Sequence, residues 1–441
     1  MAERREAVEE QAVRDGSAVY SVEAEIANSE DLPPGYKRTE VGVIPEDWQA
    51  QQIGSLAQIK RGASPRPIAD SKWFDTKSEI GWLRISDVAR EGKFIRATDQ
   101  SLSDAGVARS RLVRPGNVVM SMAATVGRPA INRKTVCIHD GFVVFEKPTV
   151  SSEFLYYLLL AIEDRWAERG QTGSQVNLNT HIIGTTPVPL PAIEAEQRAI
   201  AAALSDADAL IESLDRLIAK KRVIKQATMQ QLLTGQTRLP GFTGEWETKR
   251  LGEIGRFRGG SGFPTVFQGE TSGQYPFFKV SDMNNEGNET FMESASNYIS
   301  DTTRKKLGAV VFPAKSIVFA KVGAAVFLER KKILSRPSCL DNNMAGFTLE
   351  DPPVNFRFIH YVLMSFSLGA LVSTTALPSL NSKVLASIMC RLPSLKEQQA
   401  IATVLSDMDT EIEALERRHD KARQIKQGMM QQLLTGRVRL V

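Results

Sequence analysis

A long helical segment is written twice in this chain, 201 residues apart. EQRAIAAALSDADALIESLDRLIAKKRVIKQATMQQLLTGQTRL runs from Glu196 to Leu239, and EQQAIATVLSDMDTEIEALERRHDKARQIKQGMMQQLLTGRVRL from Glu397 to Leu440. MQQLLTG recurs letter for letter, from Met229 to Gly235 and from Met430 to Gly436. The repeating unit is far larger than a solenoid repeat, so the expectation is a pseudo-dimer built from one chain.

The segments before each helix are related more loosely. Trp48 and Trp246 open WQAQQIGSLAQIKRGASPRP and WETKRLGEIGRFRGGSGFP; GWLRISDV answers PFFKVSDM; RPGNVVMSMAATVG answers FPAKSIVFAKVG; FLYYLL answers FIHYVL; and VNLN answers PSLN. Framework positions match while the loops between them differ in length and charge. This pattern predicts one fold used twice, with two different surfaces. Short β-rich runs (GNVVMSM, GFVVFEK, KSIVFAKV, AGFTLE) followed by FLYYLLLAIEDRWAERG or FRFIHYVLMSFSLG predict an α/β or α+β domain, a small curved sheet with attached helices. Strand order is not legible at this level.

In the first repeat Ile200, Leu204, Ala207, Ile211, Leu214 and Ile218 are spaced 4, 3, 4, 3, 4, and Ile401, Leu405, Met408, Ile412, Leu415 and His419 repeat the spacing in the second. This is an a/d seam. It continues less regularly through Ile224 and Leu232, or Ile425 and Leu433, with Lys221 or Ala422 between. Leu190-Pro191 and Leu392-Pro393 mark the helix starts, and Gly235 and Gly436 fit C′ positions with Thr234 and Thr435 just inside. Two seams in one chain predict an antiparallel coiled coil in a pseudo-twofold arrangement; the alternative is that each helix docks only on its own domain.

At 441 residues the chain suits two cores rather than one. The net charge of +4 is unevenly spread: residues 1–40 hold 5 basic and 10 acidic side chains, leaving 50 basic and 41 acidic elsewhere, a surplus of nine over the duplicated part. Such a surplus is compatible with nucleic acid. Cys137, Cys339 and Cys390 stand far apart without CxxC or metal-ligand spacing, which reads as reduced thiols in a cytoplasmic protein. No long apolar run and no signal sequence suggest a membrane partner or secretion.

The lead-in GYKRTEVGVIPEDW, the helix opening LP…EQ(R/Q)AIA…LSD…D and the MQQLLTG finish together resemble the specificity subunit of type I restriction-modification systems. The resemblance spans Leu32 to Val441. It divides the chain into a variable or disordered extension (1–35), a first target-recognition domain (36–190), a central helix (191–240), a second target-recognition domain (241–393) and a C-terminal helix (394–441). The extension is longer than the family's usual lead-in. The resemblance implies a non-catalytic reader of double-stranded DNA, each domain taking one half of a split, asymmetric site. The helices would fix the spacer and dock partners: two modification subunits carrying S-adenosylmethionine and methylating adenine, and restriction subunits bringing ATP-driven translocation and cleavage with Mg. No cofactor is expected on this chain. A helix of about 40 residues, rising roughly 1.5 Å each, would be a rod of the order of 60 Å, enough to space two readers by one or two turns of duplex. A second possibility is a recognition scaffold for a solitary methyltransferase or another phage-defence assembly without a nuclease.

Some segments resemble enzyme motifs but depart from them. Asp351-Pro352-Pro353-Val354 resembles the DPPY/F tetrapeptide of amino-methyltransferases, but Val354 cannot stack on a flipped base. Phe257-Arg258-Gly259-Gly260-Ser261-Gly262 hints at a glycine-rich cofactor loop, yet Phe263-Pro264-Thr265 is a poor helix start. No GxxxxGK[ST] loop occurs, and His139, His181, His360 and His419 are scattered. Asp87 and Asp282, in matched SD pairs, read as turn caps in preference to base contacts. The candidate DNA contacts are polar and basic residues of the variable loops: Lys60, Arg61, Ser64, Arg66, Arg84, Arg109 and Arg111 in the first domain, and Arg256, Arg258, Ser261, Lys279, Lys321, Arg330, Lys331 and Lys332 in the second. Guanidinium forks suit guanine edges and any cation suits phosphate.

Overall fold

The computed structural model describes residues 32–166, 178–350, 354–372 and 378–440. The acidic extension up to residue 31, the Asp351-Pro352-Pro353 segment and the start of VNLN lie outside these residues. The chain divides into two units, residues 1–214 with 418–441, and residues 215–417. Each unit therefore combines one domain, the N-terminal half of the helix that follows it and the C-terminal half of the other long helix. The helices themselves run Glu194–Thr234 and Leu395–Leu433.

The two units repeat one topology. In the first, a five-stranded sheet has the order Gln58–Arg61, Phe142–Glu146, Val118–Ser121, Pro129–Asn132, Phe94–Ile95, and a four-stranded sheet the order Gln100–Ser101, Gly81–Leu83, Val136–Ile138, Arg111–Val113. In the second, the matching orders are Gly255–Gly259, Met344–Leu349, Ile317–Ala320, Lys331–Leu334, Phe291–Met292 and Tyr298–Ile299, Tyr275–Phe278, Ser338–Leu340, Val311–Phe312. The sequence runs expected to be strands and the FLYYLL and FIHYVL helices (Ser152–Ala161 and Phe356–Ser365) form where expected.

The central strands are mostly apolar on both sides because both faces are covered. Val118 and Met120 join the core under the Ser152–Ala161 helix, while Val119 turns to the other side with Ala130, Phe142 and Val144. Val143 and Phe145 alternate back to the helix side. This period of two is what places two cores on one strand. Each covering helix is N-capped, Ser151 accepting from the Phe154 N–H at 3.1 Å and Asn355 from Phe358 at 2.9 Å.

In each unit the long helices run antiparallel. In the first, Ile200, Ala201 and Leu204 share a core with Leu433 and Leu434, and farther along Asp208 meets Lys426 at 2.5 Å. In the second, Met229, Leu232 and Leu233 share a core with Ile401, Ala402 and Leu405, and Lys225 pairs with Asp409. Both ion pairs are related by the 201-residue offset. The helices pack on each other as the seams predict and also dock on their domains, so docking on its own domain alone is not what either helix does. Among the expected seam residues Ile200, Leu204, Leu214, Ile218, Ile401, Leu405, Ile412 and His419 are buried, while Ala207, Ile211, Met408 and Leu415 are half-buried.

The continuation of the seam needs correcting. Ile224 and Ile425 are 41% and 53% exposed. Lys225 and Lys426 take the inward positions one residue later, because each ammonium finds a carboxylate across the pair and its aliphatic stem lies along the groove. Lys221 is accommodated for the same reason, reaching Glu411 at 2.6 Å. The seam phenols close each network: Tyr157 donates to Asp208 and Tyr361 to Asp409, both at 2.6 Å.

The ends of the helices are fastened by a second duplicated device. Gly235 and Gly436 take left-handed φ of +71° and +72°, and a Cβ on Gly436 would lie 2.5 Å from Pro45. Beyond them Arg238 grips Glu397 with two bonds of 2.6 and 2.7 Å, and Arg439 grips Glu196 in the other unit. Glu196 and Glu397 are buried at the starts of the helices, where Gln197 and Gln398 also donate at 2.9 Å to the carbonyls of Pro191 and Pro393.

Candidate nucleic-acid interface

One of the turns that join the two sheets of each unit centres the candidate edge. In the first unit His139–Gly141 joins the last residue of Val136–Ile138, in the four-stranded sheet, to Phe142–Glu146 in the five-stranded sheet. The ends of the neighbouring strands follow from the register: Arg84 comes directly after Leu83, which pairs with Ile138, and Arg111 itself pairs with Ile138. Arg61 pairs with Val143 on the other sheet. The topology therefore brings Arg61, Ser64, Arg66, Arg84 and Arg111 to one edge.

Asp140 organises that edge. Its Oδ1 accepts from Ser64 Oγ at 2.6 Å, its Oδ2 from Arg66 Nη2 at 2.8 Å, and its main-chain carbonyl from Arg61 Nε at 2.8 Å. The Ser64 hydroxyl, and more weakly the Arg66 charge, hold its carboxyl below the ordinary range against the effect of partial burial. Arg111 Nε donates to the Arg61 carbonyl at 2.5 Å. Arg109 is exposed next to Ser110, whose hydroxyl donates to the Ala63 carbonyl at 2.7 Å. Lys60 lies beside the cluster but is paired with Glu146 at 2.6 Å.

A glycine makes the approach possible. Gly62 N donates to the Phe142 carbonyl at 2.8 Å, and a Cβ there would sit 2.0 Å from the His139 carbonyl. Gly260 does the same in the second unit, with the Asp341 carbonyl 2.0 Å away. What resembled a cofactor loop is thus a close crossing of backbones, followed by the short 3-10 turn Thr265–Phe267 and no helix body. His139 is held in place by edge contact with Phe142 at 4.9 Å and by its Nδ1 accepting from the Gly141 N–H at 2.9 Å. Burial, opposed by the Asp140 charge and aided by that of Arg84, lowers its pKa; with Nδ1 accepting, the ring proton lies on Nε2.

The equivalent edge of the second unit carries other groups on the same frame. The turn is Asp341–Asn343, with Asn342 exposed. Lys279 follows the strand paired to Leu340 and donates to Gln268 Oε1 at 3.1 Å. Lys321 lies over Gly259, and Arg258 is exposed on the same strand end. Ser261 is a staple, its hydroxyl accepting from the Val310 N–H at 3.1 Å. Arg330 follows at the far side of the same sheet end and binds the Asn284 amide oxygen.

Three of the expected contacts are displaced. Arg256 stands at the opposite end of its strand, paired with Glu350 at 2.7 Å. Lys331 is buried, its side chain 1% exposed, because it bonds Glu329 at 2.8 Å and the Phe366 carbonyl at 3.0 Å. Lys332 is half-buried, and burial lowers its pKa while its ammonium caps the carbonyls of Asn288 and Glu289. A KK pair on a strand must split between faces, and the inward one needed a partner the sequence did not advertise. Asp87 and Asp282 are fully buried caps, receiving the N–H of Arg84 at 2.9 Å and of Lys279 at 2.7 Å.

Sequence reasoning missed His139, Asp140 and Asn342. The signal was present: IHDGF aligns with LDNNM at a framework turn whose polar residues differ between the halves. Among the described residues no group of His, Cys, Asp and Glu could hold a metal ion, and no helix is long and apolar enough to cross a membrane. Burial pushes the three thiols up to about 11.

Known proteins share the duplicated organisation of this chain. The model of the type I restriction modification DNA specificity domain matches twice, over residues 45–220 and 243–424. The chain is 22% identical over 420 residues to the MjaVIII specificity subunit of the type I restriction enzyme of Methanocaldococcus jannaschii, covering 90% of this chain and 94% of that protein. It is 23% identical over 268 residues to the EcoR124I/EcoR124II specificity subunit of Escherichia coli, 58% of this chain and 63% of that protein. The fold is similar to that of the S subunit of the type I system of M. genitalium, with a TM-score of 0.58 at 14% identity over 91% of this chain and 99% of that one. Two matches of the specificity-domain model, one on each half of a duplicated fold, place the chain in the family of type I restriction-modification specificity subunits.

Proposed function

We propose that the turn-centred edge of each unit is the DNA-reading surface, and that the chain supplies sequence choice without catalysis. The observation that carries this is the gathering of Arg61, Ser64, Arg66, Arg84 and Arg111 at one edge, and of Arg258, Lys279 and Lys321 at the matching edge. The frame beneath is the same and the groups displayed are different. Arginines provide planar forks for guanine O6 and N7 and, like lysines, charge for phosphates. In this reading double-stranded DNA is bound as a bipartite, asymmetric site, one half per unit. The paired helices dock two modification subunits that carry S-adenosylmethionine, and restriction subunits that use ATP and Mg, in the cytoplasm.

Replacing residues 41–190 by the equivalent domain of a related protein, and sequencing the methylome made with the modification partner, tests this. One half of the methylated motif should change while the other half and the spacer persist. A change in both halves would refute the modular reading. Methyl transfer to duplex DNA by the purified chain alone would refute the non-catalytic one.

A further inference from the structure

We infer that Asp140 is a positioning residue which fixes the guanidinium groups of Arg61 and Arg66 to read a guanine in the half-site of the first unit. The assignment rests on the edge facing DNA.

An anion on a surface that meets a polyanion is unfavourable unless it does something there. Asp140 uses both carboxylate oxygens and its carbonyl on three side chains of one loop: Ser64, Arg66 and Arg61. The loop is pinned from behind, Gly62 N to the Phe142 carbonyl at 2.8 Å and Ala63 N to Ile138 at 3.1 Å. Neither arginine is consumed. Arg61 spends only Nε, which leaves both terminal nitrogens as a fork, and Arg66 spends only Nη2 while its side chain stays 70% exposed. A fork held at its base loses less freedom when it meets a guanine edge, and a well-made bidentate contact separates guanine from other bases.

The second unit lacks the device. By strand register Asp140 corresponds to Asn342, which is exposed, and the residue matching Arg66 is Pro264. The consequences are therefore confined to one half-site.

The experiment uses the chain assembled with its modification partner and measures binding to duplexes in which each base pair of the first half-site is changed in turn. That half-site is identified by the 41–190 exchange. Asp140→Asn should reduce discrimination at one G·C pair by about tenfold, within the roughly 5- to 150-fold range of a bidentate contact. The second half-site should keep its discrimination. Arg66→Lys, which retains the charge and the fold but not the fork, should fail at the same base pair. A uniform rise in affinity for all duplexes with discrimination unchanged would mean that Asp140 is only an unfavourable charge, and would overturn the assignment. So would a first half-site without guanine, or a loss spread over both halves. If the wild-type complex marks no bipartite motif at all, the reading of the edge falls and this assignment with it; an intact motif with unaltered discrimination in both variants refutes the assignment alone.

Discussion

Removing the Arg439 guanidinium should destabilise the first unit far more than its place near the end of the chain suggests. Glu196 is fully buried and receives Arg439 Nε and Nη2, the latter at 2.8 Å, and Trp48 Nε1 at 3.2 Å. Breaking a buried pair by deleting one partner costs about 3–5 kcal/mol, because the other charge stays buried. Here the arginine side chain is 29% exposed, so water reaches the site in the variant, and Trp48 still donates. Arg439→Ala should therefore cost about 2–3 kcal/mol. At roughly 2–4 °C per kcal/mol for a unit of about 200 residues, the transition should fall by about 5–10 °C. The bonds from Arg439 to Asp47 contribute little of this, since Asp47 is 47% exposed, and Asp47→Ala should cost under about 1 kcal/mol. The duplication supplies an internal control: Glu397 is gripped by Arg238 through two bonds, while Trp246 Nε1 donates nothing to it, so Arg238→Ala strands that buried carboxylate and should destabilise the second unit at least as much as Arg439→Ala does the first. Urea unfolding followed by tryptophan fluorescence and calorimetry reads both. If Arg439→Ala unfolds within about 0.5 kcal/mol of the parent, the buried carboxylate is not held as argued. Glu196→Gln combined with Arg439→Ala should recover much of the loss, since it removes the stranded charge.

Other expectations follow from individual sites. His360 is buried with Nε2 bonded to the Lys331 carbonyl at 2.8 Å, and burial lowers its pKa to about 4. A depressed folded pKa contributes stability that is present above the unfolded value near 6.5 and is lost as pH falls from there towards 4. The second unit should therefore weaken across that window in urea titrations at stepped pH, and His360→Gln should flatten the dependence; the first unit has Tyr156 at the corresponding position. Burial opposes ionisation of Glu329, but Lys331, the Gly369 and Leu368 N–H groups and Ser367 hold its carboxyl down to about 2. Its contribution, about 1–2 kcal/mol after allowance for its exposure, is present above pH 4.5 and lost towards pH 2, so Glu329→Gln should remove an acid step below pH 4.5. Gly62→Ala should cost about 1–3 kcal/mol and displace the His139 turn, measured as lost DNA binding with the second unit's transition unmoved.

The duplication, the strands, the helix ends and most of the seam could be read from the sequence because each depends on local pattern. Apolar runs between glycines have one stable use when helices follow them, and MQQLLTG ending in glycine stops a helix wherever it occurs. What could not be read depends on partners distant in sequence. Hydrophobicity favours Ile224 for the seam, but Lys225 enters because Asp409 waits 184 residues away. The sequence reads Lys331 as a candidate DNA contact, yet Glu329, the Phe366 carbonyl and the neighbouring His360 bury it. Arg238 and Arg439 stood in plain view as the matched TRL and VRL endings, and only the fold shows that they close onto the buried glutamates of the EQ pairs.

Those two arginines also explain why the repeats match most closely where they do. Each long helix must satisfy four demands at once: its opening glutamate is gripped by an arginine beyond the end of the other helix, its Asp208 or Asp409 meets a lysine of the other helix, its leucines fill a domain core, and its terminal glycine turns beside a tryptophan. Two of these demands, the glutamate–arginine grip and the aspartate–lysine pair, are made on one repeat by the other, so a change there in one copy must suit a partner drawn from the second copy. The turns His139–Gly141 and Asp341–Asn343 face no such cross-requirement. Their supporting backbone is fixed by Gly62 or Gly260, and their side chains are free to differ. A duplicated chain can in this way hold its frame constant while its two edges diverge, which is the physical condition for reading two unlike half-sites with one fold.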